Sequence, residues 1–393
     1  MVVVPSQMRR LNQRVLLTQL LRLGVASRAD LAKSLGMSQP TAGKIVDELL
    51  ALGVLEEISA QVALQDAPKE TTAIANGRLG RPGRLLRLDR ARPRFLGIQL
   101  EISETSLAVL PVGADSEEQW SIHVPTLNSA EDWAWQLRNA AAKIRQKEFW
   151  GVLVSVPGIV DEQAGRVVFS PNLHWTEQVD LPKLIQQVWN APVLLVQEER
   201  ALALGHQAAD PSGEDFLLVD FGQGVGGALV VDGKLYAKPM PISGELGHTP
   251  VLGNLRPCGC GAIGCVETLI STRGLLQSFA VAHPQGPHTW AALVDYIDDK
   301  GVVPWLAEAL DATAVIIDGA LNVLGLCRVI ITGSITELPG TVMDHLTAAV
   351  LRGAMWGRFG KVVCQTAPRR RVAGLVAVGI DRLVNASAAH ETA

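Results

Sequence analysis

Two stretches of the chain share one pattern, RFLGIQLEISETSLAVLPV from Arg94 and DFLLVDFGQGVGGALVVDGKL from Asp215. Each reads as a strand, a short turn and a returning strand, with apolar residues dense enough for burial on both faces. The first is followed by FWGVLVSVPGIVD and APVLLVQEERALALGHQAA, a buried strand running into a loop and then a strand running into a helix; the second is followed by LCRVIITGSITEL, another buried strand, ending at Gly333. A chain that repeats hairpin, buried strand and helix is expected to fold as α/β, with two related lobes around a cleft. The first lobe is expected over residues 95–200, completed by a C-terminal helix over 372–388, and the second over 201–371.

At 393 residues and 48% hydrophobic positions the chain can bury a large core divided among two or three domains. No stretch approaches the roughly 18 uninterrupted apolar residues of a membrane span. MVVVPSQMRRLNQR at the N-terminus lacks the apolar core and small-residue cleavage site of a signal peptide, so a soluble, cytoplasmic protein without membrane contact is expected. Five cysteines, three of them within RPCGCGAIGCVE (residues 256–267), do not suit a disulfide framework and fit reduced thiols.

The net charge of −4 conceals an asymmetry. Residues 1–94 hold 15 Lys or Arg against 8 Asp or Glu, a balance of +7, which leaves −11 on the remainder. A basic head on an acidic body suggests that one end meets a polyanion. Within that head, LNQRVLLTQLLRL (11–23) has helical apolar spacing and stops at Gly24. Ser27 then caps a second helix with Asp30 three positions on, and after GMS Ser38 caps a third, QPTAGKIVDELLALG, with Pro40 in its first turn.

Two helices joined by a tight Gly-containing turn, the second opening on small polar residues, describe a helix-turn-helix over residues 1–57. Ser38, Gln39, Thr41 and Lys44 then form the exposed helix end that would read bases or hold phosphate in double-stranded DNA. The segment 58–94 reads as wing and linker. In NGRLGRPGRLLRLDRARPR seven arginines face one acid, Asp89, and Arg78, Arg81, Pro82 and Arg84 make a narrow cationic segment suited to a minor groove. LLRLD is its returning strand, and 58–75 a loop at its tip. A three-helix bundle for protein contacts and a solvated basic linker are the alternatives.

Cys258, Cys260 and Cys265, with His248 ten positions upstream, offer three soft sulfurs and an imidazole, a donor set that zinc favours in closed tetrahedral sites. The spacing is not that of a zinc finger, and a reduced surface loop or an iron–sulfur remnant remains open. Cys327 and Cys364 read as packing residues. The glycines of DFGQGVGGALV, taken alone, read as turn geometry.

Together SGELGHTPV, CGCGAIGCVET and GVGGALVVDGKL resemble the ROK family of repressors and sugar kinases, from about residue 95 to the end. The N-terminal helix-turn-helix with its Gly-Arg-Pro wing resembles the family's repressor branch. The resemblance implies an actin-like (ribonuclease H-like) ATPase-type fold of two lobes. It implies structural zinc on His248, Cys258, Cys260 and Cys265, and sugar contacts from Glu245, His248 and Glu267, with Gly158, Asn172, Gln197 and Glu198 at matching loops.

Two departures separate regulator from kinase. Kinases of the family carry a glycine-rich phosphate loop ending in lysine where QLEISE stands, so that Gln99, Glu101, Ile102 and Glu104 would put anions and side chains against a phosphate. Gln197 and Glu198 stand where kinases carry Asn-Asp, whose aspartate is the base. The expectation is therefore a homodimeric or higher-order transcriptional regulator, more a repressor than an enzyme, that senses a sugar or sugar-phosphate. A ROK-type sugar kinase with an appended DNA-binding domain is the alternative, and a protein partner stays open.

Overall fold

The computed structural model describes residues 5–59, 62, 84–210, 212–236 and 243–384. The chain opens with helices α1 (Pro5–Leu23), α2 (Arg28–Ser34) and α3 (Gln39–Ala51). Helix α1 starts well before the expected Leu11. Ser27 and Asp30 form a capping box, with Ser27 Oγ accepting from the Asp30 N–H at 3.1 Å and the Asp30 carboxylate accepting from the Ser27 N–H at 3.4 Å. Ser38 caps α3 by accepting from the Thr41 N–H at 3.3 Å. Leu16, Leu17, Leu20, Leu31, Ile45, Val46 and Leu49 close a core between the three helices.

A three-stranded antiparallel sheet flanks these helices, with β3 (Leu85–Leu88) between β1 (Ala26–Ser27) and β2 (Leu55–Ile58). Arg78, Arg81 and Pro82, and nearly all of the loop expected over 58–75, lie outside the described residues. Four of the five described arginines of the basic run are matched to carboxylates, which the count of one acid in that run did not anticipate. Register sets Arg87 opposite Glu56, with Arg87 Nε 2.8 Å from its carboxylate. Arg84 pairs with Glu57, Arg90 with Asp115 at 2.8 Å and Arg92 with buried Asp89 at 2.6 Å. Arg94 lies over the Trp150 ring, 4.6 Å from its centre.

The first large sheet contains β4 (Pro93–Leu100), β5 (Glu104–Pro111), β6 (Ile122–Pro125) and β7 (Gly151–Val156). After a hairpin of β8 (Ile159–Asp161) and β9 (Arg166–Phe169), β10 (Val193–Gln197) completes it, in the order β10-β7-β4-β5-β6. Helices α4 (Ala130–Lys143) and α5 (Leu181–Gln186) cover the face carrying Leu96, Ile98 and Leu100. Phe95, on the opposite face, packs with α6 (Glu198–Ala209) and the C-terminal helix.

The second sheet repeats that order as β13-β12-β11-β14-β15. Its strands are β11 (Phe216–Phe221), β12 (Val225–Val231), β13 (Lys234–Leu235), β14 (Arg328–Gly333) and β15 (Val363–Thr366). In both sheets the first three strands in sequence run antiparallel and the last two join parallel to the first. Between β13 and β14 lie α7 (Glu267–Ile270), α8 (Thr272–Ala282), α9 (Trp290–Lys300) and α10 (Pro304–Leu324). Helix α11 (Gly340–Gly353) precedes β15. No helix of the described residues is long and apolar enough to cross a membrane.

After β15 the chain returns to the first sheet as α12 (Arg371–Gly379), which crosses α6 backbone to backbone. A Cβ on Gly374 would lie 1.7 Å from Ala201 O, and one on Gly205 would lie 1.9 Å from Arg370 O. Gly374→Ala therefore forces the helices apart and should cost about 1–3 kcal/mol or more, lowering the thermal midpoint by several degrees. Gly319, on the exposed face of α10, has nothing within 4 Å of such a Cβ, so Gly319→Ala should stabilise by roughly 0.5–1 kcal/mol; calorimetry of both variants checks the contrast.

Candidate functional site

Strands β4, β7, β10, β11 and β14 all end at one cavity of about 540 Å³ between the two sheets. Carboxyl ends of parallel strands are where open α/β sheets leave room for a ligand. Gly158, Asn172, Gln197, Glu198, Glu245, His248 and Glu267 all line it. At Gly158 the chain turns with φ +93°, and a Cβ would sit 2.4 Å from Phe169 O, so the loop after β7 closes only with glycine.

The glycines of DFGQGVGGALV serve close approach as well as turning. A Cβ on Gly224 would meet Glu267 Oε2 at 2.7 Å, and one on Gly226 would meet Glu199 Oε1 at 2.4 Å. Their absence of side chains lets both carboxylates reach the β11–β12 backbone, where Glu267 Oε2 accepts from the Val225 N–H at 3.0 Å.

Two arginines from the segment entering α12 organise the acids. Arg369 donates twice to Asp220, at 2.8 and 2.9 Å. Arg371, buried, pairs with Glu198 and lies 3.7 Å from Glu101 and 3.6 Å from Glu117. Glu101 also accepts from Gln99, and burial pushes its carboxyl up against the pull of Arg371. Glu104 departs from expectation: it opens β5, pairs with His123 at 3.0 Å and is not part of the cavity wall. Only Glu101 and Ile102 of that loop face inward, because the loop's bend places Glu104 beside β6.

Gln197 donates to Glu245 Oε1 at 3.4 Å, and its backbone N–H to Glu162 at 3.3 Å. Glu199, which sequence reasoning passed over, is a wall residue whose Oε2 is shut off from solvent without a donor, although the residue keeps some exposed surface elsewhere. Burial, then Glu198, drives its carboxyl well above the usual range. Neither Glu199 nor the two arginines carried a local signal, since Arg369 and Arg371 find partners 149 and 173 positions away.

His248, Cys258, Cys260 and Cys265 present ligand atoms all within 4.8 Å of one another, a cluster that could hold a metal ion. Cys260 and Cys265 sulfurs are 3.7 Å apart, and His248 Nδ1 lies 3.5 Å from Cys258 Sγ. A tetrahedral shell with metal–sulfur bonds of about 2.3 Å and metal–nitrogen bonds of about 2.0 Å has edges of about 3.8 and 3.5 Å, so the donor set fits. Without a metal, burial and the neighbouring thiols push Cys265 up to about 12. Arg256 braces the loop by donating to Thr268 O at 2.8 Å and Ser278 Oγ at 3.0 Å. His248 Nε2 points into the cavity, 3.8 Å from Glu245 Oε2.

The ROK family's sequence profile matches residues 100–377. The chain belongs to the ROK family. Curated ROK relatives include the xylose repressor of Caldicellulosiruptor bescii, 26% identical over 295 residues, covering 71% of this chain and 68% of that one. The xylose repressor of Bacillus subtilis is 23% identical over 346 residues, 87% of each chain. An N-acetylmannosamine kinase of Escherichia coli is 30% identical over 182 residues, 45% of this chain and 62% of that one. Among solved folds, a ROK family transcriptional regulator described as a homologue of the E. coli MLC protein superposes with TM-score 0.72 at 18% identity, over 98% of this chain and 99% of that one. A ROK hexokinase from Thermus thermophilus superposes at 0.58 with 20% identity, over 75% and 99%. The mixed α/β, actin-like fold of this ROK chain is thus shared with both kinds.

Metal analysis of the purified protein should find a stoichiometric bound ion that Cys265→Ser abolishes. The raised carboxyl of Glu199 has a signed consequence. Above its ordinary 4.5 the unfolded chain releases this proton while the folded chain keeps it, so stability falls as pH rises until the folded carboxyl itself ionises. Glu199→Gln should remove that slope, and melting curves from pH 5 to 8 should show the variant gaining on the native protein as pH increases.

Proposed function

We propose that this ROK protein is a transcriptional repressor of carbohydrate genes, in which a winged helix-turn-helix head binds operator DNA and the two-lobed body binds a saccharide effector. The head is assigned to residues 1–57 with a wing and linker over 58–94, and the lobes to 95–200 with the C-terminal helix and to 201–371. The observation that carries the reading is the path of α6. Its first turn, Glu198 and Glu199, lies in the cavity wall, and its body packs against α1 of the head. Arg14 of α1 adds an ion pair with Asp381 beyond α12, at 2.6 Å. An effector that shifts α6 shifts the head with it, and in a symmetric homodimer this changes the spacing of two α3 helices over a palindromic site.

Ser38, Gln39, Thr41 and Lys44 are exposed at the opening of α3, as base and phosphate contacts require. Arg84 pairs with Glu57 but keeps its side chain largely exposed, so it stays available to a DNA phosphate. His248, Cys258, Cys260 and Cys265 would hold structural zinc, and with Nδ1 on the thiol side, His248 Nε2–H would be left to donate toward Glu245 and a sugar hydroxyl. Glu245, Glu267, Gln197, Glu198 and Asn172 supply further hydrogen bonds, and Gly158 gives the sugar close backbone access.

A kinase reading draws on the partial match to N-acetylmannosamine kinase. Glu101, held near Arg371 where the family's phosphate loop stands, and Glu198, held by Arg371 in place of the base, speak for loss of catalysis. The repressor relatives also match 87% of the chain in the Bacillus case, against 45% for the kinase.

A gel-shift titration on DNA upstream of the protein's own operon should show specific, salt-sensitive binding. Lys44→Ala should lower the salt slope by about 1, and Gln39→Ala should cost roughly 1–3 kcal/mol at one base position while leaving others intact. Binding that ignores sequence, or ADP release with a hexose panel well above background, overturns the reading.

A further inference from the structure

The cavity extends past the residues assigned to the sugar. Those come from the loops after β7 and β9, the end of β10, the first turn of α6, and the loop and helix around the metal ligands. A second part of the wall comes from the turn after β11, the starts of α8 and α9, and the turn after β14, and consists of Gly222, Thr272, Trp290, Ser334 and Glu337. Hydrogen bonds tie this part together. The Thr272 N–H donates to Gly222 O at 2.9 Å, the Thr272 and Ser334 hydroxyls are 2.7 Å apart, Ser334 Oγ donates to Phe221 O at 2.9 Å, and the Trp290 indole N–H donates to Glu337 Oε2 at 2.9 Å.

These bonds decide what the second part offers a ligand. With its indole N–H engaged, half-buried Trp290 presents apolar ring surface whose orientation Glu337 fixes. Because Ser334 gives its proton to Phe221 O, the Thr272 hydroxyl donates to Ser334, and lone pairs of Thr272 Oγ1 and of the Glu337 carboxylate are left to accept. An aromatic ring beside hydroxyl acceptors suits a pyranose, which carries C–H groups on its faces and hydroxyl donors at its rim. It suits a nucleotide poorly. Arg369 is the one Lys or Arg among the described lining residues and is held by Asp220 through two hydrogen bonds, so a phosphate chain would meet the carboxylates of Glu198, Glu267 and Glu337 with no free cation to offset them. Size agrees with a ligand of two rings. A cavity of about 540 Å³ lies within the roughly 300–1,000 Å³ of pockets that bury drug-sized molecules, a size that a disaccharide has and a single pyranose does not.

We propose that the effector is an uncharged disaccharide, one ring held by the residues around the metal loop and the other lying on Trp290, with hydroxyls of that second ring donating to Glu337 and Thr272. This rests on the sugar-sensing reading and adds the chemical class of the ligand. Trp290 is the residue that sets the preference for two rings over one.

The test is calorimetric titration of the metal-loaded full chain at pH 7 with cellobiose, maltose, lactose and xylobiose, with their components glucose, galactose and xylose, and with ATP. Each is run on the native protein and on Trp290→Ala, Trp290→Phe and Glu337→Ala, with melting curves and metal content confirming that the variants are folded. The expected result is at least one disaccharide binding about tenfold or more tighter than its own components. That advantage is lost in Trp290→Ala, largely kept in Trp290→Phe, and lowered in Glu337→Ala, whose exposed position leaves the core untouched. A component monosaccharide that binds as tightly as its disaccharide, or an advantage that survives in both folded alanine variants, overturns the proposal and leaves sugar sensing intact. ATP binding that depends on Trp290 overturns it in favour of a nucleotide. If no sugar of either set binds folded, metal-loaded protein, the proposal and the sugar-sensing reading fall together.

Discussion

Two arginines separated by one residue hold the molecule's two halves to a common geometry. Arg369 reaches the second sheet at Asp220, and Arg371 reaches the first at Glu198, Glu101 and Glu117. Both stand where the chain leaves β15 and returns to the first lobe as α12, and both bear on the cavity. Removing one member of such a buried network leaves uncompensated charge, with a typical cost of about 3–5 kcal/mol. The two sheets are thereby coupled through carboxylates of the cavity wall, so a change in cavity charge bears directly on the crossing of α6 and α12.

Under the proposed function, that crossing is the route by which the cavity would act on the DNA-binding head. Gly205 and Gly374 bring α6 and α12 into backbone contact, which permits sliding or rotation as rigid bodies but little compression. Helix α1 rests on α6, and Leu16, Leu17 and Leu20 of the head share one continuous core with Ala201, Val372 and Leu375 of the body. A shared core transmits displacement, whereas a solvated linker would absorb it.

Much of the fold was legible because its signals are local. The Ser27–Asp30 cap, the two hairpins and the thiol loop each lie within a few positions of sequence, and the repeated hairpin-strand pattern anticipated two related lobes, whose sheets have one strand order. Charge was less legible because it depends on register and return paths. The basic run looked unopposed until β2 set Glu56 against Arg87, and Glu104 faced outward because the bend after β4 returns it beside β6. Glu199 had no sequence signal, since its lack of a partner is a property of what packs around it. The cluster of His248 with three thiols was legible because ligand spacing is a local property, while the orientation of Nε2 toward Glu245 came only with the fold.

On the proposed function, occupancy of the cavity and DNA binding are linked. Fluorescence anisotropy of labelled upstream DNA, titrated with protein in the absence and presence of a saturating sugar ligand, measures that linkage. DNA affinities should differ by about 5- to 150-fold between the two titrations, the usual range of such coupling. Identical affinities, with the ligand independently shown to be bound, would contradict it.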